Sequence, residues 1–537
     1  MRMKRLLLAI TACLVLVLSA SKSAATTWNA ASGAFIDVSN AIAQTHYGDT
    51  VQIPAGSWVW TSAELNISGI TVAGAGTNAT FLLDNLPVPS AANNWAQYHR
   101  FFVATTTTNA LTRITGITFQ DAGNTYHDFK GKVEFDGRNG SSTSWRLDHC
   151  NFINLNGDNI FVHGLAVSVV DHCYFALQGT AITYLGISYS DSYGDVPWAI
   201  PSNYGSTNTL YIEDCAFTNI IPNSSSSAAF DGYAGARVAF RHNIVWNTFF
   251  GTHGNDTGQR YRGIRMVEMY NNTFNDNQGF VTAMDFRSGT GVVFSNTVNG
   301  FSLFSTIENY RNVEPNYWGG VNGSSPWDSN SPSIYFSGTH AGTNSAPVFL
   351  ASGVSWTPGQ WAGYVMVDST SGRYDLIQNN SSNQLFMTAM KDLSPVLFTN
   401  GDTVQIQYVG AALDELGHGS GDLIVDSYVN WPNVTTLDVT ANAATWPHQS
   451  LDPLYSWGNT LNGAPTGLTS SYANIIEGRE IYYNTVRPGY TPYTYPHPLQ
   501  TNSGSVLGTG GSGSGGGSTT STNATLSPPT GLHIIPQ

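Results

Sequence analysis

Residues 146–152 read Arg-Leu-Asp-His-Cys-Asn-Phe, and residues 169–175 read Val-Val-Asp-His-Cys-Tyr-Phe. An Asp-His-Cys triplet that occurs twice is either chemistry or scaffold. The neighbouring sequence decides. With Cys150 and Cys173 placed in one column, the same column takes Cys215 of "YIEDCAF", Asn243 of "AFRHNIV", Asn272 of "EMYNNTF" and Asn296 of "VVFSNTV". Ile117 of "RITGITF" stands there one repeat earlier, and the steps are 33, 23, 42, 28, 29 and 24 residues. The bare repeat is therefore 23 to 24 residues, with loops inserted in the longer ones.

The flanking columns are apolar. Three positions before the marker stand Leu147, Val170, Ile212, Phe240, Met269 and Val293; two after it stand Phe152, Phe175, Phe217, Val245, Phe274 and Val298. Apolar columns on short strands separated by turn residues predict parallel strands stacked coil on coil, about 4.8 Å apart. The fold class is all-β, a right-handed parallel β-helix. A column that accepts Cys and Asn alike is a ladder position at a bend, so the cysteines are expected to be reduced, buried and inert. His163 of "FVHG" and His242 of "FRHN" are read as members of turn ladders.

The marker returns at Asn459 and Asn484, 163 and 188 residues after Asn296. This spacing predicts main coils over 26–302, an inserted β-rich lobe over 303–450 and returning coils over 451–500. "DVSNAIAQTHYGDTVQIPAG" (37–56) reads as a short amphipathic helix capping the barrel, turning through Gly48-Asp49 into a first strand. Residues 502–524 are largely Gly, Ser and Thr, a flexible linker ahead of a short tail.

The start of the chain is basic (Arg2, Lys4, Arg5), then apolar from Leu6 to Ala20, then small. It reads as a secretory signal peptide over 1–25, so a secreted, periplasmic or cell-surface protein is expected; Cys13 leaves a lipid-anchored form as the alternative. Removing the signal leaves 17 basic residues against 35 acids. That balance argues against nucleic acid, whose phosphates need a basic face. No later run is apolar enough to span a membrane.

The coil motifs and the "GDTVQIPAG" stretch resemble the pectin-lyase-like superfamily of secreted parallel β-helices. "IEDCAF", "GARVAFRHN", "THGNDTGQRYRG", "VEMYNNTF" and "VRPGYTPYTYPHPL" are similar to runs in bacterial β-helix-repeat proteins. The resemblance implies the fold and a polysaccharide partner, and leaves the reaction open. "WRLDHC" is similar to a Trp-Ile-Asp-His signature of pectate lyases, but no Arg-x-Pro-x-x-Arg run or aspartate pair for Ca²⁺ accompanies it. Gly417-His418-Gly419 resembles a polygalacturonase motif but falls outside the coil register.

In a chain with only 10% charged residues, one region stands out. Two positions before the marker the column runs Asp148, Asp171, Glu213, Arg241, Tyr270, Phe294; four before it runs Arg146, Val169, Tyr211, Ala239, Glu268, Val292. Glu213, Arg237, Arg241 and Glu268 gather on an outward face. Loops flanking them bring Asp231, His253, Arg260 and Arg262. Two chemistries suit this set. In β-elimination from an acidic, uronate-containing glycan, Arg237, Arg241, Arg260 and Arg262, or Ca²⁺, would neutralise the carboxylate while His253 or an Arg takes the proton. In inverting glycoside hydrolysis Glu213 and Glu268 would form the carboxylate pair, their pKa values depressed by the arginines. Asp231, Tyr211 and Tyr270 are placed as substrate contacts. The competing reading is ordinary cross-strand salt bridging in a non-catalytic glycan-binding or adhesin-like protein, a monomer in the simplest case.

Overall fold

In the computed structural model, residues 25–501 are described apart from 88–99, 106–109, 124–130, 143, 187–196, 199–201, 222–226, 254–262, 308–333, 362–363, 389–395, 410–415, 422–448, 471–474 and 476. The signal peptide, the Gly/Ser linker, the tail, Arg260 and Arg262 lie outside the described residues.

Three sheets, parallel throughout the main coils, wall the helix. The first has twelve strands, among them Trp145–Asp148, Val169–Asp171, Leu210–Glu213, Arg237–Arg241, Met266–Tyr270 and Thr290–Phe294. The second has eleven and takes the strand just after the marker, such as Asn151–Ile153, Tyr174–Leu177 and Ala216–Asn219. The third has seven, including Val133–Ser142, Ile160–Ala166, Ile182–Leu185, Ala228–Tyr233 and Phe249–Thr252. The chain is a parallel β-helix.

The apolar columns form its core. Leu147, Val170, Ile212, Phe240, Met269 and Val293 are all fully buried. The rings of Phe152, Phe175 and Phe217 stack in register at centroid spacings of 5.0 and 4.9 Å, close to the coil spacing. Between the first two sheets the chain bends through one residue in the left-handed region. That residue is Gly116, His149, His172, Asp214, His242, Asn271, Ser295 and Gly458 on successive coils, with φ between 49° and 70°. Glycine, Asn, Asp and His tolerate this conformation best, which explains the His of Asp-His-Cys. The Cys/Asn marker that follows is buried from Cys150 to Asn459, and Cys150, Cys173 and Cys215 are free thiols. Asn484, expected in the same column, is exposed instead, because the pairing of Leu454 with Ile481 sets it two positions ahead of the marker.

The helix Phe35–Ile42 buries Val38 and Ala41 in the main core, and Phe35 meets Trp60 edge-on at 5.2 Å. After Ile307 the coil path is interrupted. Six strands between Phe336 and Val409 form an antiparallel sheet with its own core of Phe349, Met366, Ile377, Phe398 and neighbours. Leu454–Trp457 then pairs in parallel with Thr290–Phe294, as if nothing intervened.

Candidate functional site

On the first sheet the side chains at the Asp148 and Arg146 positions point outward and pair between coils. Arg113 grips Asp148 through two bonds of 2.6 Å, and Arg146 grips Asp171 at 2.8 and 2.7 Å. Glu213 and Arg241 are direct register partners, joined at 2.5 Å. Arg241 also donates to Tyr270 Oη at 2.8 Å and lies over the Tyr211 ring. Glu268 lies opposite Ala239, in the other outward column.

This face is covered. Residues 487–501 return across it as a strap, and the loop around Ser202–Gly205 covers the adjoining part. Arg241 donates to the carbonyls of Tyr493 (2.8 Å) and Thr494 (2.9 Å). Glu213 Oε1 accepts from the His497 amide at 2.7 Å and from the Gln500 side chain. Glu268 accepts from the Tyr490 hydroxyl (2.6 Å) and the Gly205 amide (2.9 Å). Arg237 spends its guanidinium on the carbonyls of Ser202 and Pro197. Glu213, Arg241 and Glu268 have no exposed surface, and Tyr211, Tyr270 and Arg237 have almost none.

Burial reverses the electrostatic expectation for the carboxylates. Desolvation is the larger influence at both, so Glu213 is raised despite Arg241, and Glu268 is raised despite its hydrogen bonds. Burial, with Arg265 nearby, brings Arg237 down to about 9. The first face gathers six of the expected residues, but as the polar floor of an intramolecular interface.

Asp231 and His253 lie elsewhere. They are not on loops beside Arg237: Asp231 is within the third-sheet strand Ala228–Tyr233, and His253 directly follows Phe249–Thr252. His253 Nδ1 is 2.7 Å from Asp231 Oδ1, with 35% and 21% of the two side chains exposed. An ionised carboxylate only accepts, so within this pair Nδ1 is the donor. The Tyr233 ring meets His253 edge-on at 5.8 Å. On the next coil Arg287 bonds Asp285 at 2.9 Å, and its amide bonds Thr252 Oγ1 at 3.0 Å.

The outward rows of this third face mix charged and apolar residues, and Phe161, Leu185 and Ala234 form a small buried cluster against Tyr233. Register aligns Glu134, Phe161, Thr183, Asp231 and Gly251, and beside them Asp136, His163, Leu185 and Tyr233. His163 Nδ1 bonds Glu134, which Arg100 also contacts, and Arg138 chelates Asp136 at 2.9 and 2.8 Å. His163 is therefore a member of this row rather than a turn ladder. Loops of unequal length separate the third-sheet strands from the marker, so counting from the marker column does not reach these pairs. Among the described residues no group of three or more His, Cys, Asp or Glu side chains is placed to hold a metal ion.

The three sheets define the class, a three-sided parallel β-helix, with one face covered by the chain's own strap and the Asp231–His253 pair partly exposed on another. No family model and no curated protein matches the chain. Among solved structures, it is similar to an alginate lyase from Paenibacillus sp. str. FPU-7, with 13% identity, TM-score 0.34, and 53% of this chain and 99% of that one covered. It is also similar to a mannuronic acid specific polysaccharide family 6 lyase from human gut microbiota (12%, TM-score 0.31, covering 52% and 77%). A third is an iota-carrageenase complexed to iota-carrageenan fragments (13%, TM-score 0.25, covering 53% and 57%). At such identities the likeness is one of fold alone.

Proposed function

We propose that the protein is an extracellular polysaccharide-active enzyme that cleaves an acidic, uronate-containing glycan by β-elimination on its third face. The Asp231–His253 pair, hydrogen-bonded and partly exposed on the third face, carries this reading. Asp231 fixes the imidazole so that His253 Nε2 takes the proton α to the uronate carboxylate. The electron pair of that C–H bond forms the ring double bond, and the glycosidic C–O bond breaks. The leaving oxygen takes a proton from the imidazolium or from Tyr233. Arg287, one coil along, is the described cation suited to the uronate carboxylate, and Arg260 and Arg262 belong to the segment that directly follows His253. A neutral base oriented by a carboxylate contributes about 10²–10⁴-fold.

The test is digestion of uronate polymers by the purified protein, read as ultraviolet absorbance of the unsaturated product together with reducing ends. Both signals are expected to rise, and His253→Gln is expected to lower kcat by about 10²-fold or more with the fold intact. Reducing ends without absorbance would mean hydrolysis. Neither signal across a broad uronate panel would sink the enzyme reading. One observation favours a non-catalytic glycan-binding protein instead: the first face, a continuous surface along the coils, is sealed by the chain itself. Glycan binding that persists in His253→Gln without any turnover by the parent protein would select that reading.

A further inference from the structure

Inside the early coils, at the corner between the second and third sheets, two buried side chains of opposite charge meet. Lys132 immediately precedes the strand Val133–Ser142, and Asp84 closes the strand Thr80–Asp84. Neither has appreciable exposed surface, and Lys132 Nζ lies 2.9 Å from Asp84 Oδ2. The surroundings are aromatic. Trp60 is the register partner of Asp84 on the preceding coil, and its ring packs on Phe101 and Phe102 at 5.4 and 5.5 Å. The Phe101 amide bonds the Lys132 carbonyl at 2.9 Å. On the following coil the register partner of Asp84 is Asp121, a second aspartate one strand spacing, about 4.8 Å, along the ladder. Among the described residues, no hydrogen bond from Lys132 Nζ meets the geometry of one. A buried ammonium ion against a buried carboxylate is an expensive arrangement, and contact between Nζ and Oδ2 brings the amine next to the carboxyl carbon.

We infer that Lys132 and Asp84 condense into an intramolecular isopeptide bond. Lys132 loses a proton to become a neutral amine, and Asp84 gains one to become a carboxylic acid. The amine lone pair attacks Cγ of Asp84, and an N–C bond forms. The C–OH bond then breaks, and one water leaves with the second amine proton. Asp121 is the neighbouring carboxyl suited to relay the protons. The step is a dehydration with no change of oxidation state, so it needs no oxidant, reductant or co-reactant. It replaces two buried charges by one neutral amide and ties residue 84 to residue 132 across adjacent coils.

The experiment is a proteolytic peptide map of the purified full-length chain by tandem mass spectrometry. The expected result is a branched peptide joining the Asp84 and Lys132 segments, lighter than their sum by one water. That species is expected to vanish in Lys132→Arg, which keeps the charge but has no primary amine. Recovery of Asp84 and Lys132 in two linear peptides of unmodified mass would overturn the inference. So would a one-water deficit that survives Lys132→Arg, because dehydration at an Asp-Gly step such as Asp136-Gly137 would then be its source.

Discussion

At the scale of single residues, the marker column shows how one position can hold Cys in some coils and Asn in others. Asn272 Oδ1 accepts from the backbone amide of Asn243 (2.9 Å) and from its side chain (3.2 Å), while Asn272 Nδ2 donates to the Phe240 carbonyl (2.8 Å) and Asn296 Oδ1 (2.9 Å). The ladder continues through Asn296 to Asn459 across the 163-residue gap in sequence. Cys215 repeats the scheme more weakly: its sulfur accepts from the Cys173 amide at 3.4 Å and donates to the Glu213 carbonyl at 3.3 Å. Truncation leaves a buried amide and a buried carbonyl without partners, at about 1–3 kcal/mol each. Asn272→Ala is therefore expected to destabilise the protein by about 2–4 kcal/mol, and Asn272→Cys by less. Denaturant unfolding of the two variants checks the order, and an equal loss in both would refute the ladder account.

At the scale of elements, the strap makes the first face different from what its columns suggest. "RPGYTPYTYPHPLQT" has no strand periodicity, and its four prolines remove amide donors, so nothing in the sequence announces what it covers. It binds through carbonyls, ring faces, tyrosine hydroxyls, the His497 amide and the Gln500 side chain, partners that no pattern of side-chain columns reveals. The columns themselves were legible, including the pairing of Glu213 with Arg241, because register follows from counting to the marker. The third-face pairs were not, because unequal loops break that count. The strap also carries a pH dependence. His497 lies against Tyr211 and Tyr493, and His242 stacks on Tyr495 at 3.7 Å. Burial pushes His497 down to about 3 and His242 down to about 4, with Arg241 adding to both and Asp171 and Asp214 opposing. A depressed base contributes stability that is complete above its unfolded pKa of about 6.5 and is lost as pH falls toward the folded value. The raised carboxyls Glu213 and Glu268 act the other way, stabilising below their unfolded value and losing that contribution as pH rises. The expected change follows the two histidines, whose shifts cover about pH 6.5 to 4. Amide hydrogen exchange over 487–501, corrected for intrinsic rates, is expected to lose protection across that window, and His497→Gln to flatten the change. Protection that rises steadily on acidification would show that the glutamates dominate.

At the scale of the whole molecule, the repeat explains why a long insertion is tolerated. Each coil contacts its neighbours and little else, so stability is close to a sum over adjacent coils. The pairing of Val292 with Tyr455, and of Val298 with Leu461, restores the stack immediately. The six antiparallel strands between Phe336 and Val409 bury their own core, separate from the main one. The return is nevertheless anchored upstream of Leu454: Leu416 is buried in the main core, and the Gly417 amide bonds the Gly289 carbonyl at 2.8 Å. A deletion therefore has to spare Leu416 and Gly417. Replacing residues 336–409 by a short Gly/Ser bridge is expected to leave the β-sheet circular dichroism of the coils and the cooperative unfolding of the main body intact. Cleavage of uronate polymers, if it depends on Asp231 and His253, is expected to survive with kcat unchanged. A rise in KM alone would assign the lobe to glycan capture, whereas loss of the coil fold would show that the two cores are energetically one.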